Sequence, residues 1–384
     1  MDIKYDVIVI GAGSFGASAG AHLARAGAKV LLLDAYYPPH ERGSHHGATR
    51  IFRAGYTMGS AYVELAKLAR ERWLELERDA EQILGGYCQG SLFLPTGTIS
   101  IGARNNDALA KKEAGCLQHE IPYQRWDQYE TERLYPVLSL PKDSEVLFEP
   151  WGGVLLSEQI IKAYIQLAIR AGAQFLPYHP VQQINSSRSG VQIVSGNKRF
   201  EAGRVLVTAG VYLPQLLPAL QLPIQAARRV FAWYEDQKGL HDAAQFPSFI
   251  VHEHEGSEYY GIPSLQGSGL KVGHHQRGQS WGLDQPVAPF GTYPSDEGEL
   301  HAFVKRMFPR VGECSGGAAC LYELTPNEHF MIDRHPTEER IWFAGGGSGH
   351  GFKFASAIGP LLGEWLLQGT PPKQLRPFHL AAAL

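Results

Sequence analysis

The N-terminal part of the chain alternates apolar runs with stretches of helical periodicity. Residues 5–10 (YDVIVI) form a continuous apolar run typical of a buried parallel strand. Residues 17–26 follow with a helical pattern that ends at Gly27, and residues 29–33 predict a second strand. This order of strand, helix and strand predicts a unit of the Rossmann type.

The same two periodicities continue along the chain. Apolar residues recur at three- and four-residue spacing in residues 61–77 and 160–170, which predicts two helices. Residues 205–208 predict a further parallel strand, and residues 343–347 the last strand with its glycine turn. Short β-rich runs that predict a mostly antiparallel sheet lie between these elements, at residues 230–234, 249–251, 258–262 and 270–273.

Three glycines follow the first strand at the G-x-G-x-x-G spacing. Gly11 permits a tight turn, Gly13 lets the backbone approach a pyrophosphate, and Gly16 lets the helix pack close to the strand. The helix N-terminus offers free N–H groups to phosphate. Asp34, 18 residues after Gly16 (34 − 16), can accept hydrogen bonds from a ribose. A glycine-rich turn in an unrelated α/β fold is the alternative, but the order of all these parts favours a dinucleotide site.

Composition narrows the function further. The 384 residues, 44% of them hydrophobic, are enough for two domains, and a net charge of −3 excludes a basic nucleic-acid or membrane surface. Four scattered cysteines predict neither a disulfide framework nor a metal site. No run of 18 apolar residues predicts a membrane span, so we expect a cytoplasmic protein.

The three glycines alone do not distinguish an NAD site from an FAD site. The loop at residues 43–53 (GSHHGATRIFR) does. It places hydrogen-bond donors and two arginines, Arg50 and Arg53, beside the nucleotide site. The alternative is that both arginines are solvated surface charges.

With this loop, the chain resembles the family of monomeric sarcosine oxidase and N-methyltryptophan oxidase, which are flavoproteins. The resemblance covers nearly the whole chain. It rests on GAGSFG (11–16), PPH (38–40) with the loop above, FEPWGGVLLSE (148–158), VLVTAG (205–210), YYGIPS (259–264), GLKVGHH (269–275), GAACLYELTPNEHFMID (317–333) and GSGHGFKFAS (347–356).

The resemblance implies a mixed α/β fold in which two domains interleave. A Rossmann-type FAD-binding domain would comprise residues 1–90, 150–222 and 321–384. A substrate domain built on a mostly antiparallel sheet would comprise residues 91–149 and 223–320. The family also implies a monomer.

The resemblance implies that FAD is bound covalently, through a thioether from Cys320 to the flavin's C8 methyl group. The alternative for a lone cysteine is a small buried apolar side chain. His350 and Gly351 would offer backbone N–H groups to the pyrimidine side of the flavin. The implied cofactor residues are Gly11, Gly13, Ser14, Gly16, Asp34, Ser44, His45, Thr49, Arg50, Val181, Ala209, Gly210, Cys320, Gly347, Gly349, His350, Gly351, Phe352 and Lys353.

By the same resemblance, Arg53 and Lys353 would bind a substrate carboxylate. Arginine offers a planar, two-pronged donor and lysine a point charge. Two unpaired cations in a closed site repel each other, and an anionic substrate removes that repulsion. Tyr260 and Tyr322 would line the pocket, where an aromatic face can hold an N-methyl or ammonium group.

Lys271 would be the residue that activates oxygen, because an ammonium stabilises the negative charge that O2 acquires on reduction. Strand alternation places Lys271 and His275 on one face, and Arg50 would support the same charge. Taken alone, Lys271 would be interpreted as an ordinary exposed strand lysine, and the resemblance reverses that interpretation.

The implied reaction is oxidation of sarcosine-like N-methyl amino acids by O2, giving an imine, which hydrolyses to aldehyde and amine, and H2O2. Two alternatives stay open, namely oxidation of fructosyl amino acids or cyclic imino acids, and a flavin-binding module without turnover. Lys271 argues against the second. Ala48, Ala54 and Gly55 are smaller than the family's usual residues, which predicts a roomier substrate pocket, and Tyr212 stands where the family often has tryptophan.

Overall fold

The structure is a computed structural model that describes residues 4–85, 90–253 and 256–380. Its first sheet has eight strands. They are β1 (Tyr5–Ile10), β2 (Val30–Leu33), β9 (Gln174–Leu176), β10 (Gln183–Ser186), β11 (Val191–Ser195), β12 (Lys198–Val207), β19 (Met331–Arg334) and β20 (Ile341–Gly345).

Strand β1 lies at the centre of this sheet. It pairs in parallel with β2 on one side and β12 on the other, and β12 pairs in parallel with β20. Both faces of β1 are buried, because Val7 and Val9 enter the core on one side while Ile8 and Ile10 enter the core on the other. A strand covered on both faces needs a continuous apolar run. The predicted parallel strands are therefore confirmed.

Four long helices cover the Val7 face of the first sheet: α1 (Ser14–Arg25), α2 (Ser60–Asp79), α5 (Ser157–Arg170) and α8 (Ala355–Gln368). Helix α1 packs against both α5 and α8. It begins at Ser14, three residues before the predicted start, because Gly13 takes the cap position directly after the turn. The helices predicted at residues 61–77 and 160–170 are confirmed as α2 and α5.

The second sheet has nine strands, which are antiparallel apart from the parallel pair of β5 and β14. All four predicted β-rich runs belong to it. The strands are β5 (Thr98–Ala103), β6 (Gln124–Asp127), β7 (Ser144–Glu149), β13 (Gln225–Tyr234), β14 (Ser248–His252), β15 (Glu258–Ile262), β16 (Leu270–His274), β17 (Gln279–Ser280) and β18 (Cys314–Leu324).

The remaining elements join or cover the two large sheets. The aromatic ring of Phe303 in α7 stacks on Tyr259 of β15 at 4.0 Å between centroids. These elements are a small third sheet of β3 (Arg50–Phe52), β4 (Phe93–Leu94) and β8 (Gly153–Leu155), with helices α3 (Asp107–Gln118), α4 (Gln128–Leu134), α6 (Leu213–Leu216) and α7 (Ser295–Met307).

All strands of the first sheet fall within the segments predicted for the FAD-binding domain. The predicted boundary between residues 320 and 321 falls inside β18, which runs without interruption from Cys314 to Leu324. The other boundaries stay predictions. Within the described residues, no helix is long and apolar enough to cross a membrane, and no group of His, Cys, Asp and Glu side chains is arranged to hold a metal ion.

Candidate FAD and substrate site

A cavity of about 330 Å³, the nucleotide cavity, lies beyond the carboxyl ends of β1, β2 and β12. Open α/β sheets bind their ligands at this edge, where the strand order reverses. Nearly half of the predicted cofactor residues line it: Gly11, Gly13, Ser14, Asp34, Ser44, His45, Val181, Ala209 and Gly210.

Two of the three fingerprint glycines cannot carry a side chain. Gly11 has a φ of +93°, and a Cβ there would lie 2.5 Å from the main-chain oxygen of Thr208. A Cβ on Gly16 would lie 1.9 Å from the oxygen of Gly11, so Gly16 lets helix and strand approach closely. Gly16 itself does not line the cavity. The position of Gly16 thus fits the predicted packing role, but it does not fit direct contact with the cofactor.

The start of α1 points its free backbone donors into the nucleotide cavity. The cap residue Gly13 has no side chain to satisfy them, and the first turn carries no acidic residue. Asp34 lies opposite, where its carboxylate accepts hydrogen bonds from Ala12 N at 2.8 Å and Tyr36 N at 2.9 Å. It also lies 3.2 Å from a ring nitrogen of His40. Because a carboxylate has about four acceptor positions, one remains for a ribose hydroxyl.

A carboxyl group that the sequence analysis did not single out also lines the nucleotide cavity. Burial raises the pKa of Glu323 to about 7, although the backbone N–H groups of Gly347 and Gly346 hydrogen-bond to it and lower the pKa. Gly346 N lies 3.3 Å from its Oε2. Tyr212 lines this cavity as well, so its departure from the family's tryptophan falls on the nucleotide side.

A second cavity of about 210 Å³, the substrate cavity, adjoins the first. The two meet near Ser44, which lines the nucleotide cavity and whose main-chain oxygen accepts a hydrogen bond from Arg50 at 2.7 Å. Predicted site residues that line the substrate cavity are Thr49, Arg50, Arg53, Tyr260, Lys271, His275, Cys320, Tyr322, Gly349, His350, Phe352 and Lys353. Gly347 and Gly351 line neither cavity.

Arg53 and Lys353 are buried together at one end of the substrate cavity. The Nζ of Lys353 donates to the hydroxyl of Tyr56 at 3.2 Å and to the main-chain oxygen of His350 at 2.9 Å. The guanidinium of Arg53 lies over the Tyr56 ring, 4.5 Å from its centroid. Burial and the neighbouring charge of Arg53 lower the pKa of Lys353 well below its ordinary value. An anion bound here would reverse that shift, because it favours the charged lysine.

Lys271 lies elsewhere in the same cavity and is only 3% exposed, so it is not an exposed strand lysine. Its Nζ donates to the main-chain oxygen of Gly47 at 2.6 Å and lies 4.1 Å from the centroid of the Phe231 ring. Burial and the charge of Arg50 lower the pKa of Lys271 well below its ordinary value. His275 lines the same cavity, as strand alternation predicted.

Two glycines make room for the tyrosines of the cavity wall. A Cβ on Gly273 would lie 2.5 Å from the Tyr260 ring, and a Cβ on Gly349 would lie 2.0 Å from the Tyr322 ring. Tyr260 and Tyr322 both line the cavity, and burial raises the pKa of each phenol. Cys320, two residues before Tyr322, is a free, buried thiol in the same wall, and burial raises its pKa.

The comparisons with known proteins agree with this geometry. Residues 6–365 match the family described as FAD dependent oxidoreductase. The chain belongs to this family. It is 38% identical to a monomeric sarcosine oxidase of a Bacillus species, over 99% of this chain and 96% of that protein. It is 37% identical to an N-methyl-L-tryptophan oxidase of Salmonella arizonae, over 99% of each.

Among solved structures, the glycine oxidase of Geobacillus kaustophilus has the same fold. Its TM-score is 0.83 at 18% identity, covering 98% of each chain. Like the family match, this similarity extends over both sheets and both cavities.

The nucleotide cavity fits the FAD that names the family. Unsatisfied N–H groups of α1 face a space lined by Gly11 and Gly13, and Asp34 keeps an acceptor position for a ribose. Residues that would hold the cofactor there are those at the ends of β1, β2 and β12.

The small residues of this family member do not enlarge the substrate cavity where the sequence analysis expected room. Ala48, Ala54 and Gly55 do not line it. Ala54 N and Gly55 N donate to the buried carboxylate of Glu149, at 3.0 and 2.7 Å. A Cβ on Gly55 would lie 2.9 Å from the sulfur of Cys116 and 3.0 Å from Glu149. The chain's own side chains fill this space.

A second correction concerns His350. Its backbone N–H donates to the oxygen of Gly347 at 2.8 Å and closes a turn, so it is not free for a cofactor. The side chain is buried, with a ring nitrogen 2.9 Å from the oxygen of Glu328. His350 therefore shapes the loop that carries Lys353, because the main-chain oxygen of His350 also accepts a hydrogen bond from the Lys353 ammonium.

Among the residues of the substrate cavity that sequence reasoning missed are Tyr56 and Glu258. Tyr56 lies three residues after Arg53, but only the structure shows that it also contacts Lys353. Glu258 lies on the predicted strand that carries Tyr260, and period-two alternation would have placed both on one face.

Proposed function

We propose that this protein is an FAD-dependent oxidase of secondary amines that acts on N-methyl amino acids. The reaction removes two electrons and two protons from the CH–NH unit and passes them to O2. It gives an imine, which hydrolyses to aldehyde and amine, and H2O2. One observation carries the proposal: a cavity beside the nucleotide site contains a buried pair of cations, Arg53 and Lys353, and a separate buried cation, Lys271.

The two curated relatives support this substrate class. One is named for sarcosine and the other for N-methyl-L-tryptophan. These are N-methyl amino acids with side chains of very different size, and both carry a carboxylate beside the secondary amine.

Arg53 and Lys353 would bind the substrate carboxylate. Tyr56 orients both, since its ring lies under the guanidinium and its hydroxyl accepts from the ammonium. Trp73 fixes the backbone, because its ring N–H donates to the main-chain oxygen of Lys353 at 2.9 Å. A bound carboxylate would replace the repulsion between two cations with attraction, which gives the anionic substrate its affinity.

Tyr260 and Tyr322 would form the aromatic wall against which the N-methyl group packs. When bound, FAD supplies the acceptor for the hydride that leaves the substrate carbon. The chain must fix the reacting C–N bond and exclude water. The rings of Tyr260 and Tyr322, for which Gly273 and Gly349 leave room, would serve both purposes.

Lys271 would stabilise the negative charge that O2 acquires on reduction. Its Nζ lies in a site of low polarity, against Phe231, so the positive charge that it carries when protonated would attract a new anion nearby strongly. Arg50, which lines the same cavity, adds a second positive charge. Both cations are held by main-chain oxygens, so they need little rearrangement when charge develops.

Cys320 would attach the cofactor covalently. It is free, it is buried and it faces the cavity beside Tyr322. Burial raises the pKa of its thiol, while the charges of Arg50, Lys271 and Arg229 oppose that rise and favour the thiolate, which is the reactive form. We also propose that the protein acts as a monomer, as the name of the Bacillus relative suggests for that protein, and that it resides in the cytoplasm.

Anaerobic substrate addition tests the proposed function. The purified yellow protein is mixed with sarcosine, larger N-methyl amino acids, fructosyl amino acids and L-proline, and the flavin absorbance is followed. We expect bleaching with N-methyl amino acids, and H2O2 once air is admitted. Bleaching by proline or fructosyl amino acids alone would replace the proposed substrate class, and no bleaching with any amine would overturn the function.

A further inference from the structure

A carboxylate forms part of the wall of the cation-rich substrate cavity. In β15, alternation turns Glu258, Tyr260 and Ile262 to the cavity. The neighbouring strand β16 pairs Ile262 with Lys271, and the backbone of His275 donates to the oxygen of Glu258 at 2.8 Å. Glu258 and Lys271 therefore mark opposite ends of this wall, roughly 13 Å apart at 3.3 Å per residue.

Glu258 is held in its ionised form. Burial by itself would raise the pKa of the carboxyl, but the hydrogen bond from His252 and the charge of Arg53 outweigh it and lower the pKa well below its ordinary value. The His252 Nδ1 lies 3.2 Å from Glu258 Oε2. The other oxygen has no ion pair within 4.0 Å among the residues that the structure describes. A permanent negative charge therefore faces the cavity.

This charge opposes the task proposed for Arg53 and Lys353. A carboxylate in the same cavity repels a substrate carboxylate and weakens its binding, so a site built only for sarcosine would be better without it. Glu258 weakens the binding of the substrate carboxylate, and its presence is explained if it binds another part of the substrate. The partner must donate hydrogen bonds, because an ionised carboxylate accepts them and donates none, and a positively charged donor is the one that also offsets the buried negative charge.

The reacting amine is a poor candidate for that partner. A secondary amine must lose its proton before a hydride can leave the adjacent carbon. A fixed carboxylate against this nitrogen would favour the ammonium form and slow the reaction. The charge that Glu258 binds must therefore lie elsewhere on the substrate.

We propose that Glu258 binds a second, remote cation of the substrate, so that the preferred substrates are N-methyl amino acids with a positively charged side chain. This inference rests on the proposed function. The α-carboxylate would bind at Arg53 and Lys353, the N-methyl group at the tyrosines, and the side-chain cation at Glu258. Such a substrate satisfies the charges of all three groups at once.

Two compounds with the same carbon skeleton test the inference. Nα-methyl-L-lysine and N-methyl-L-norleucine differ only in the ammonium group that the lysine derivative carries on its terminal side-chain carbon. We expect the wild-type enzyme to prefer the lysine derivative by about ten- to a hundredfold in kcat/KM, the range of a charge-assisted hydrogen bond. Glu258→Gln should abolish the preference, because it lowers kcat/KM for the lysine derivative far more than for N-methyl-L-norleucine. Glu258→Asp keeps the charge and should keep the preference.

Glu299→Gln is the matched control, because Glu299 pairs with Arg277 on the surface of α7, away from this cavity. It should keep the wild-type preference. If Glu258→Gln slows both substrates equally, Glu258 acts on the reacting amine or on the fold, and the inference is overturned. Equal kcat/KM values for the two substrates in the wild type would overturn it as well.

A binding measurement separates this inference from the proposed function. Calorimetric titration with L-lysine and L-norleucine needs no turnover, and we expect tighter binding of L-lysine to the wild type and equal binding to Glu258→Gln. If no N-methyl amino acid bleaches the flavin but L-lysine still binds more tightly, the proposed function fails and the cation site stands. If both ligands bind equally to the wild type, the cation site fails whatever the enzyme oxidises.

Discussion

Tyr56 contacts both Lys353 and Arg53: its hydroxyl accepts a hydrogen bond from the lysine Nζ at 3.2 Å, and its ring packs against the Arg53 guanidinium. One aromatic side chain thus fixes both cations proposed to bind the substrate carboxylate. It does so without adding a negative charge, because burial raises the pKa of Tyr56 above its ordinary value and keeps the phenol neutral. The cations stay free to attract an anion.

The first prediction concerns this pair of cations. Lys353→Met and Arg53→Ala should each raise KM for sarcosine, because each loses a charge-assisted hydrogen bond worth roughly 1.5–3 kcal/mol, about ten- to a hundredfold. Tyr56→Phe should have a smaller effect of the same sign. Steady-state kinetics with sarcosine and with dimethylamine, its decarboxylated analogue, measure this. Equal losses on both amines would mean that these residues do not bind the carboxylate.

Lys271→Met should slow reoxidation of the reduced flavin far more than its reduction by substrate. The new negative charge arises only in the oxidative half-reaction, and losing a pre-positioned cation there should cost about 2.7–4 kcal/mol, roughly a hundred- to a thousandfold, by analogy with an oxyanion-hole donor. Stopped-flow measurement separates the two half-reactions, with Lys305→Met, a surface lysine paired with Glu313, as the control. Slower reduction with unchanged reoxidation would assign Lys271 to the substrate.

Cys320→Ser should leave the flavin dissociable. The thiol is the group proposed to bond to the cofactor, and a serine hydroxyl of similar size fills the same buried space but is a far weaker nucleophile. Acid precipitation followed by centrifugation checks this: yellow colour should stay with the pellet of the wild type and with the supernatant of the variant. Cys314→Ser, which alters a thiol outside both cavities, should behave as the wild type. A colourless wild-type pellet would exclude covalent attachment.

Gly55→Ala should destabilise the protein. The new Cβ would lie 2.9 Å from Cys116 Sγ and 3.0 Å from Glu149 Oε1, and such overpacking in a core costs about 1–3 kcal/mol. Gly298→Ala is the matched control, since its Cβ would meet nothing within 4 Å and the residue lies inside α7. Alanine should stabilise that helix by roughly 0.5–1 kcal/mol. Denaturation midpoints should therefore shift in opposite directions, and a neutral Gly55→Ala would show that the loop can adjust.

The fifth prediction concerns stability at low pH. Burial and the charge of Arg277 lower the pKa of His274 to about 4. Its Nδ1 accepts a hydrogen bond from Arg277 N at 3.0 Å, which occupies the position that a proton would take. The unfolded chain takes up this proton near pH 6.5 and the folded chain near pH 4, so stability falls as the pH drops through that window.

His274→Gln removes this linkage. Its denaturation midpoints should fall less steeply than those of the wild type between pH 6.5 and pH 4, whatever the other titrating groups contribute to both. Parallel pH profiles of the two proteins would show that the folded state accepts the proton as readily as the unfolded state.

The sequence predicts most of the fold because its signals are local. Strand β1 is a continuous apolar run, and the glycines after it meet steric limits set by Thr208 and by their own turn. The grouping of Arg53, Lys353 and Lys271 in one cavity followed from resemblance, because no local pattern brings together side chains that lie hundreds of positions apart.

What the sequence did not predict depends on contacts between distant segments. Glu149 fills the space beside Gly55 from 94 positions away, so the small residues there could not be read as an enlarged pocket. The His350 N–H donates to the Gly347 oxygen in a local turn, and no residue type in the sequence indicates this turn. Glu258, by contrast, is an omission that alternation from Tyr260 could have prevented.

The uninterrupted course of β18 has a consequence for engineering. Its residues Cys320 and Tyr322 face the substrate cavity, while the next residue, Glu323, faces the nucleotide cavity. If a domain of a relative were fused to this chain at the predicted boundary, the junction would interrupt β18, whose alternate side chains face different cavities. New specificity is therefore better sought by exchanging single side chains on β15 than by grafting a substrate domain from a relative.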